Sequence, residues 1–559
     1  MGDEGSSSGC GITRDLQKLK QQAMAYYQEN DVPRRLEELL NSTFYLQPAD
    51  VYGHLANYFS KLAKPPSICK IVGKTILDGL GLPTLQVEIS CTIQNFPKYI
   101  CSVVIPAHFE VPENALPEVV DAEEAKRQLA VTTAVQWVNE SMTEQLWGLI
   151  PFNQAEVDSR LRIFFENKVQ EDKERRELER SPEEPVLVPS PLMPQPPPPP
   201  APKKKGQKQG RRDTLVEKPV LPAEPPEPIL HGSMAIGAVS LAVIKASAHL
   251  TSTPLYMSIT SLKHGQSEII IFPLTVREST LALRVCVSCL KSGIELLLEI
   301  QKQINRMMEM QPITGKMSHL GCLTINYDTI EQPLLLIQGV CSSLGLELGT
   351  NLHLAINCAA HELMDYSKGK YEVMVGAHKN MAEMMELYVD LINKYPFIIA
   401  LIDPFRKEDS EQWDSIYTAL ASRCYIIAGA ASRSISKVLE HRNTSTPKSH
   451  GLIISHTNQT TMSDLVEISH LLDSQKQLAI FGSTEAESSD DSLVDLAVGL
   501  GARFIKLGGL SRGERVTKYN RLLTIEEELI QSGTWGFSEE HNFSSFQEDS
   551  TAMMESAKT

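Results

Sequence analysis

A lysine at the end of a short apolar strand is the residue of this sequence best placed to do chemistry. Arg503 to Leu507 reads as a buried strand, Gly508-Gly509 as a turn, Leu510 to Arg515 as a polar loop, and Lys518 to Leu529 as a helix. Lys506 points out of the sheet end, where a following loop and a helix N-terminus can hold an anion. Its other reading is a solvated strand-end lysine, since lysine is rarely buried without a partner. Arg512 and Arg515 shape the same loop, with ion pairing at the first turn of the helix as their simplest role.

Other reactive residue types do not assemble into known spacings. His361-Glu362-Leu363-Met364-Asp365 lacks the second histidine that a zinc-protease helix requires. No nucleophile elbow and no phosphate-binding glycine loop with lysine occurs. Asp490-Asp491 precedes an apolar run and reads as a helix N-cap pair rather than an acid–base dyad. Cys286 and Cys289 have metal-ligand spacing but no second pair. The ten cysteines lie scattered, several inside apolar runs (Cys286, Cys341, Cys358, Cys424), which suits reduced core thiols and a cytoplasmic location. A net charge of −16 argues against nucleic acid as the main partner. The first eleven residues have no basic, apolar leader pattern, and no apolar run approaches the ~20 residues of a membrane span.

The elements that must position Lys506 follow from hydrophobic period. Residues 1–12 are expected to be disordered. Residues 13–65 form a small helical module, with Leu36, Leu39 and Leu40 on one helix and Leu55, Tyr58 and Phe59 on the next. Such helices bury too little alone, so a second copy is expected to pair with them. Residues 66–262 form an α+β domain, with Leu85, Val87 and Ile89 alternating against polar residues and helices at Ala122–Leu146 and Gln154–Phe165. It is interrupted at 168–230 by an insertion that opens with a charged, helix-prone run, Lys168 to Arg180, and continues as the proline-rich Pro185 to Pro228 carrying Lys203 to Lys205, for which polyproline II or disorder is expected. Residues 263–535 alternate strand and helix as a (β/α)8-type barrel does, with strands at Ile269–Phe272, Leu352–Ile356, Ile398–Ile402, Tyr425–Ile427, Leu452–Ile454, Leu478–Phe481 and Arg503–Leu507. Residues 536–559 form a loose polar tail. The fold class is therefore α/β.

The wording of these segments resembles the enolase family. Lys506, the glycine turn, Ser511-Arg512-Gly513-Glu514-Arg515 and the Lys518–Leu529 helix follow in the family's order, as do Gly232 to Ala246 and Pro254-Leu255-Tyr256. The resemblance implies the enolase fold and phosphopyruvate hydratase chemistry in glycolysis, in which a lysine removes a proton from 2-phosphoglycerate, a glutamate acts as acid, and three carboxylates hold Mg²⁺. It also places Asn357, Ile402 and Ala430 at the metal positions, Ser455 at the base, Leu323 at the acid, Gly79 at a metal-binding serine and Gly482 to Glu485 at the phosphate loop. Only Lys506, a substrate ligand, is kept. Asp403 stands one step from Ile402, on the opposite face of a regular strand, and His456 likewise beside Ser455. The helical module resembles the RIIa-type dimerisation and docking motif, which implies an amphipathic anchoring helix as partner. Two functions are therefore expected. One is a homodimeric hydratase acting on a phosphorylated small molecule with a degraded site. The other is an inactive scaffold tethered to a cytoskeletal or axonemal assembly.

Overall fold

The computed structural model describes residues 8–106, 116–180, 221–224, 229–263, 273–274, 282–285, 290–310, 315–317, 323–325, 327, 329–350, 352–374, 376–431, 434–442, 447–454, 459–482 and 488–533. The chain divides into two compact units. The first is built on α1 (Ser8–Glu29), α2 (Val32–Leu46) and α3 (Val51–Leu62), with the hairpin tip Thr92–Lys98. Pro33 opens α2, where a missing N–H has no helical partner to lose. The Asp50 side chain caps α3 by accepting the Gly53 N–H at 2.8 Å. Leu39 is buried at 1% exposure, whereas Leu36, Leu40 and Phe59 are exposed. Leu55 and Tyr58 are half-buried, and the Tyr58 hydroxyl donates to Glu38 at 3.0 Å.

The second unit begins with the meander β1 (Ser67–Leu77), β2 (Pro83–Ile93) and β3 (Phe96–Ile105). Leu85, Val87 and Ile89 are fully buried, as the period of two requires. The sheet is followed by α4 (Pro117–Trp137), a π turn (Val138–Met142), α5 (Thr143–Leu146), α6 (Gln154–Arg180), α7 (Met234–Thr251) and α8 (Leu255–Lys263). The single helix expected over Ala122–Leu146 thus starts earlier, at Pro117, and passes through the π turn. There the Asn139 amide accepts the Gly73 N–H at 2.9 Å and donates to the Gly73 carbonyl at 3.0 Å, bracing helix against strand. Helix α6 continues without a break into the charged run 168–180. Helix α7 is long and apolar enough to cross a membrane, but most of it is buried among its neighbours, as a core helix is. Residues 1–7 and 534–559, most of the proline-rich insertion and the Cys286–Cys289 pair lie outside the described residues.

The barrel carries β4 (Pro273–Leu274), β5 (Ala282–Val285), α9 (Leu290–Met310), a two-stranded sheet of β6 (Gly315–Met317) and β7 (Leu323–Ile325), α10 (Gln332–Ser343), β8 (Leu352–Asn357) and α11 (Ala360–Leu363). A side sheet follows, made of β9 (Met364–Asp365), β10 (Lys370–Met374) and β11 (Ala377–Lys379). Strand and helix then alternate: α12 (Met381–Lys394), β12 (Ile398–Ile402), α13 (Ser410–Leu420), β13 (Tyr425–Ala428), α14 (Ile435–His441), β14 (Gly451–Ile454), α15 (Met462–Ser474), β15 (Leu478–Gly482), α16 (Ser492–Gly499), β16 (Phe504–Lys506) and α17 (Gly513–Gln531). The eight main strands run in the order β4-β16-β15-β14-β13-β12-β8-β5, and β4 approaches β5 with Cα atoms within 8 Å, so the sheet curls on itself. All its pairs are parallel except β5 with β8. Strand β5 was not among the strands expected from sequence. Only residues 275–281 separate it from β4, too few for the helical crossover that a parallel strand needs, so it runs the other way.

Candidate functional site

The carboxyl ends of β8, β12, β13, β15 and β16 bring most of the sequence-derived site positions to one mouth. Ala355, Ala400, Ile402, Tyr425, Ile427, Ile480 and Phe504 form the barrel interior, with Ile453 and Leu478 packed against them. The strand period then puts Asn357 on the side of Ala355, Gly482 on that of Ile480 and Lys506 on that of Phe504. Ile402 pairs with Asn357 on one side and Ile427 on the other, and Lys506 pairs with Gly482 and Leu274. Asn357 and Lys506 are half-buried. Ile402 is sealed, at 1% exposure.

Ile453 fills the space between the glycines at the mouth. A Cβ on Gly482 would lie 2.7 Å from its Cγ2, and one on Gly429 would lie 3.1 Å from its Cδ1. Among the described residues, the upper part of the barrel interior is therefore filled by the side chains of Ile402 and Ile453.

Asp403 behaves unlike its neighbours. Its φ of 48° is left-handed, a conformation that aspartate tolerates better than most residues. The bend aims its carboxylate at the turn after β13. Oδ1 accepts the Gly429 N–H at 2.8 Å and the Ala431 N–H at 3.1 Å, and Oδ2 accepts the Ala430 N–H at 2.8 Å. A Cβ on Gly429 would lie 2.8 Å from Oδ2, so the turn admits no side chain there. Ala430 thus contributes a backbone donor to this carboxylate and no ligand of its own. The sequence offers one weak signal for the arrangement, an Asp-Pro step closing an apolar strand.

The loop after β16 is held by its own helix. Gly508 has φ of 75°, and Arg515 lies so close that its Nη1 would meet an added Cβ. Arg515 donates to the Leu507 carbonyl at 3.2 Å and the Tyr519 hydroxyl to the Gly508 carbonyl at 2.7 Å. Arg512 pairs with Glu514 at 3.4 Å. Gly79, in the turn between β1 and β2, abuts that same Glu514: a Cβ there would lie 2.6 Å from the carboxyl carbon. Leu323 belongs to β7, in the separate two-stranded sheet, paired with Met317. Asp491 is the N-cap residue of α16, and Asp490 accepts the Ser492 N–H at 2.8 Å, as capping residues do. His361 pairs at the surface with Glu362 at 3.5 Å. Ser455, His456 and the segment Ser483–Glu485 lie outside the described residues.

Mg²⁺ requires hard, anionic oxygen ligands near octahedral geometry. Asn357 offers one neutral amide oxygen, Ile402 and Ala430 offer none, and the Asp403 carboxylate already accepts three amide protons. Among the described residues no group of three or more His, Cys, Asp or Glu could hold a metal ion. The described residues at these positions do not fit the ion. Nor do the buried cysteines supply a nucleophile, because burial pushes the thiols of Cys91, Cys101 and Cys358 up to about 12.

The enolase C-terminal TIM barrel domain matches residues 267–542. Over nearly the whole chain the sequence is 73% identical to a mouse protein named Enolase 4, covering 99% of this chain and 96% of that one. A human protein of the same name is 68% identical, with 98% and 94% covered, and a zebrafish one is 37% identical, with 98% of each covered. With a barrel of this strand order, an α+β domain before it and relatives matched end to end, the chain belongs to the enolase family.

Proposed function

We propose that this chain uses the enolase architecture as a scaffold and does not carry out magnesium-assisted dehydration of 2-phosphoglycerate. One observation carries the reading. Where the family's resemblance calls for a metal-binding glutamate, Ile402 is packed into the barrel interior, and the adjacent carboxylate of Asp403 is engaged by three backbone amides. Proton removal beside a carboxylate builds up negative charge that a cation must stabilise. Loss of a single stabilising group commonly slows such reactions by about 10²–10³. In this reading the protein is cytoplasmic and homodimeric. Its N-terminal helices hold an amphipathic anchoring helix of a cytoskeletal or axonemal assembly, consistent with the exposed Leu36, Leu40 and Phe59.

A second reading, a glycolytic phosphopyruvate hydratase, is favoured by Lys506 at the mouth and by the name Enolase 4 borne by the relatives. In it Lys506 binds the phosphorylated substrate and Ser455 stands at the position of the base. Turnover of 2-phosphoglycerate by the purified chain with Mg²⁺ separates the two. The scaffold reading expects no phosphoenolpyruvate above background. Turnover that disappears in Lys506→Ala would overturn it.

A further inference from the structure

A largely apolar pocket lies outside the barrel wall, away from the mouth. Because side chains alternate along β8, Ala355 and Asn357 face the interior while Ile356 and Cys358 face outward, under α10 and α12. Here Ile356, Leu334, Met384, Leu387 and Leu391 border a cavity of about 80 Å³. Six of its wall residues (Leu334, Ile356, Cys358, Met384, Tyr388 and Leu391) are no more than 6% exposed, so its inner wall belongs to the core, while Leu363, Val373 and Leu387 are half-buried at its rim. Natural interiors seldom leave voids much larger than a water molecule.

Water is poorly suited to this space. A buried water needs two to four polar partners. Of the eleven lining residues only Tyr388, Tyr327 and Cys358 carry a hydroxyl or thiol, and the Cys358 thiol already donates to the Ile356 carbonyl at 3.9 Å. Burial keeps Tyr388 and Cys358 protonated, raising the Tyr388 hydroxyl well above its usual range and the thiol to about 12, so the wall carries no charge there. Val373 from the side sheet and Leu363 from α11 complete the apolar lining. An engineered apolar cavity of about 150 Å³ stays dry and takes benzene or xenon. This one has roughly half that volume, which sets the size of guest it admits.

We propose that the cavity between β8, α10 and α12 is a binding site for a compact, neutral, apolar molecule of up to about five heavy atoms. Recognition comes from shape and dispersion, with the hydroxyls of Tyr388 and Tyr327 and the Cys358 thiol as the polar groups of the lining. The site is separate from the barrel mouth and holds whichever reading of the mouth is correct.

The test uses the full chain and xenon as probe, with cyclopropane as competitor. Xenon NMR should give a saturable chemical-shift change that cyclopropane displaces. Leu387→Phe, which places a ring in the cavity, should weaken xenon binding at least tenfold. Val373→Phe fills the same space from the side sheet and serves if the first variant does not fold. Lys506→Ala should leave the xenon response as it is. A shift that is linear in xenon, or one that persists in the folded filled variants, would overturn the proposal. So would a response lost in Lys506→Ala, or a crystal under xenon whose peaks all lie away from Leu387, Tyr388 and Cys358.

Discussion

At the scale of single residues, Ile402 and Asp403 carry opposite burdens one step apart. Ile402 fills the barrel interior, and Asp403 ties β12 to the turn after β13. Replacing Ile402 with glutamate would put a carboxylate among the apolar side chains of Ala355, Ile427 and Ile480. We expect Ile402→Glu to lose about 3–5 kcal/mol in urea unfolding and to gain no Mg²⁺-dependent rise in Tm. Asp403→Ala strands three amide donors and should cost about 2–4 kcal/mol, while Asp403→Asn, which keeps one acceptor oxygen and tolerates the left-handed φ, should cost less. His450 gives a pH signature. Its Nδ1 accepts the Ile426 N–H at 2.9 Å, so the ring must be neutral, and burial lowers its pKa from 6.5 to about 4. A depressed folded pKa means that the stability is fully present above 6.5 and is lost as pH falls towards about 4. The loss is on the order of 3 kcal/mol, and His450→Asn should flatten that part of a Tm-against-pH curve. Asn357, Ile402 and Lys506 were legible as site positions because the resemblance to the enolase family aligns the strand ends residue by residue. The cradle around Asp403 was not, since it depends on one left-handed residue and on donors more than twenty positions later.

Elements were legible where one period ran long enough. Six of the seven expected barrel strands overlap observed ones, because buried parallel strands read as continuous apolar runs, and the seventh, Ile269–Phe272, falls outside the described residues beside β4. Strand β5 escaped because four residues carry too little pattern and its reversed direction is dictated by a connection length rather than by its own residues. The helical module shows a second limit. Leu36, Leu39 and Leu40 form one stripe in sequence, yet Leu39 faces inward against the module while Leu36 and Leu40 are exposed. The two kinds of position predict different mutants. Leu39→Glu should unfold the module, read as lost helical circular dichroism at the first melting step. Leu40→Glu should leave that signal intact and abolish capture by an amphipathic anchoring peptide. Capture that survives Leu40→Glu together with Leu36→Glu would remove the tether from the proposed function.

At the scale of the whole molecule, the α+β domain and the barrel are joined by buried polar contacts rather than by apolar packing alone. Asp158 on α6 accepts Gln154 Nε2 at 2.9 Å and the Ser240 hydroxyl on α7 at 2.6 Å. Its other oxygen accepts the backbone N–H of Ser463 at 2.9 Å and its hydroxyl at 2.7 Å, at the start of α15. Ser240 in turn accepts the Met462 N–H at 2.8 Å. A second clamp sets Asp490 between the Val104 N–H of β3 at 3.0 Å and Lys245 of α7 at 3.5 Å. No local pattern announces such pairs, because residues 158 and 463 meet only once both domains have formed. Their consequence is cooperativity: a barrel whose mouth holds isoleucines can still be required to fold as one body with the domain beside it. Removing the Asp158 carboxylate leaves four donors without their acceptor, so Asp158→Ala should lower stability by about 3 kcal/mol. More tellingly, it should separate the unfolding of the two parts, so that calorimetry resolves two transitions where the parent shows one for this unit. Asp158→Asn retains one acceptor but turns an NH₂ towards donors, and should fall between the two. A single, merely shifted transition in Asp158→Ala would mean that the apolar contacts of α7 alone hold the domain to the barrel.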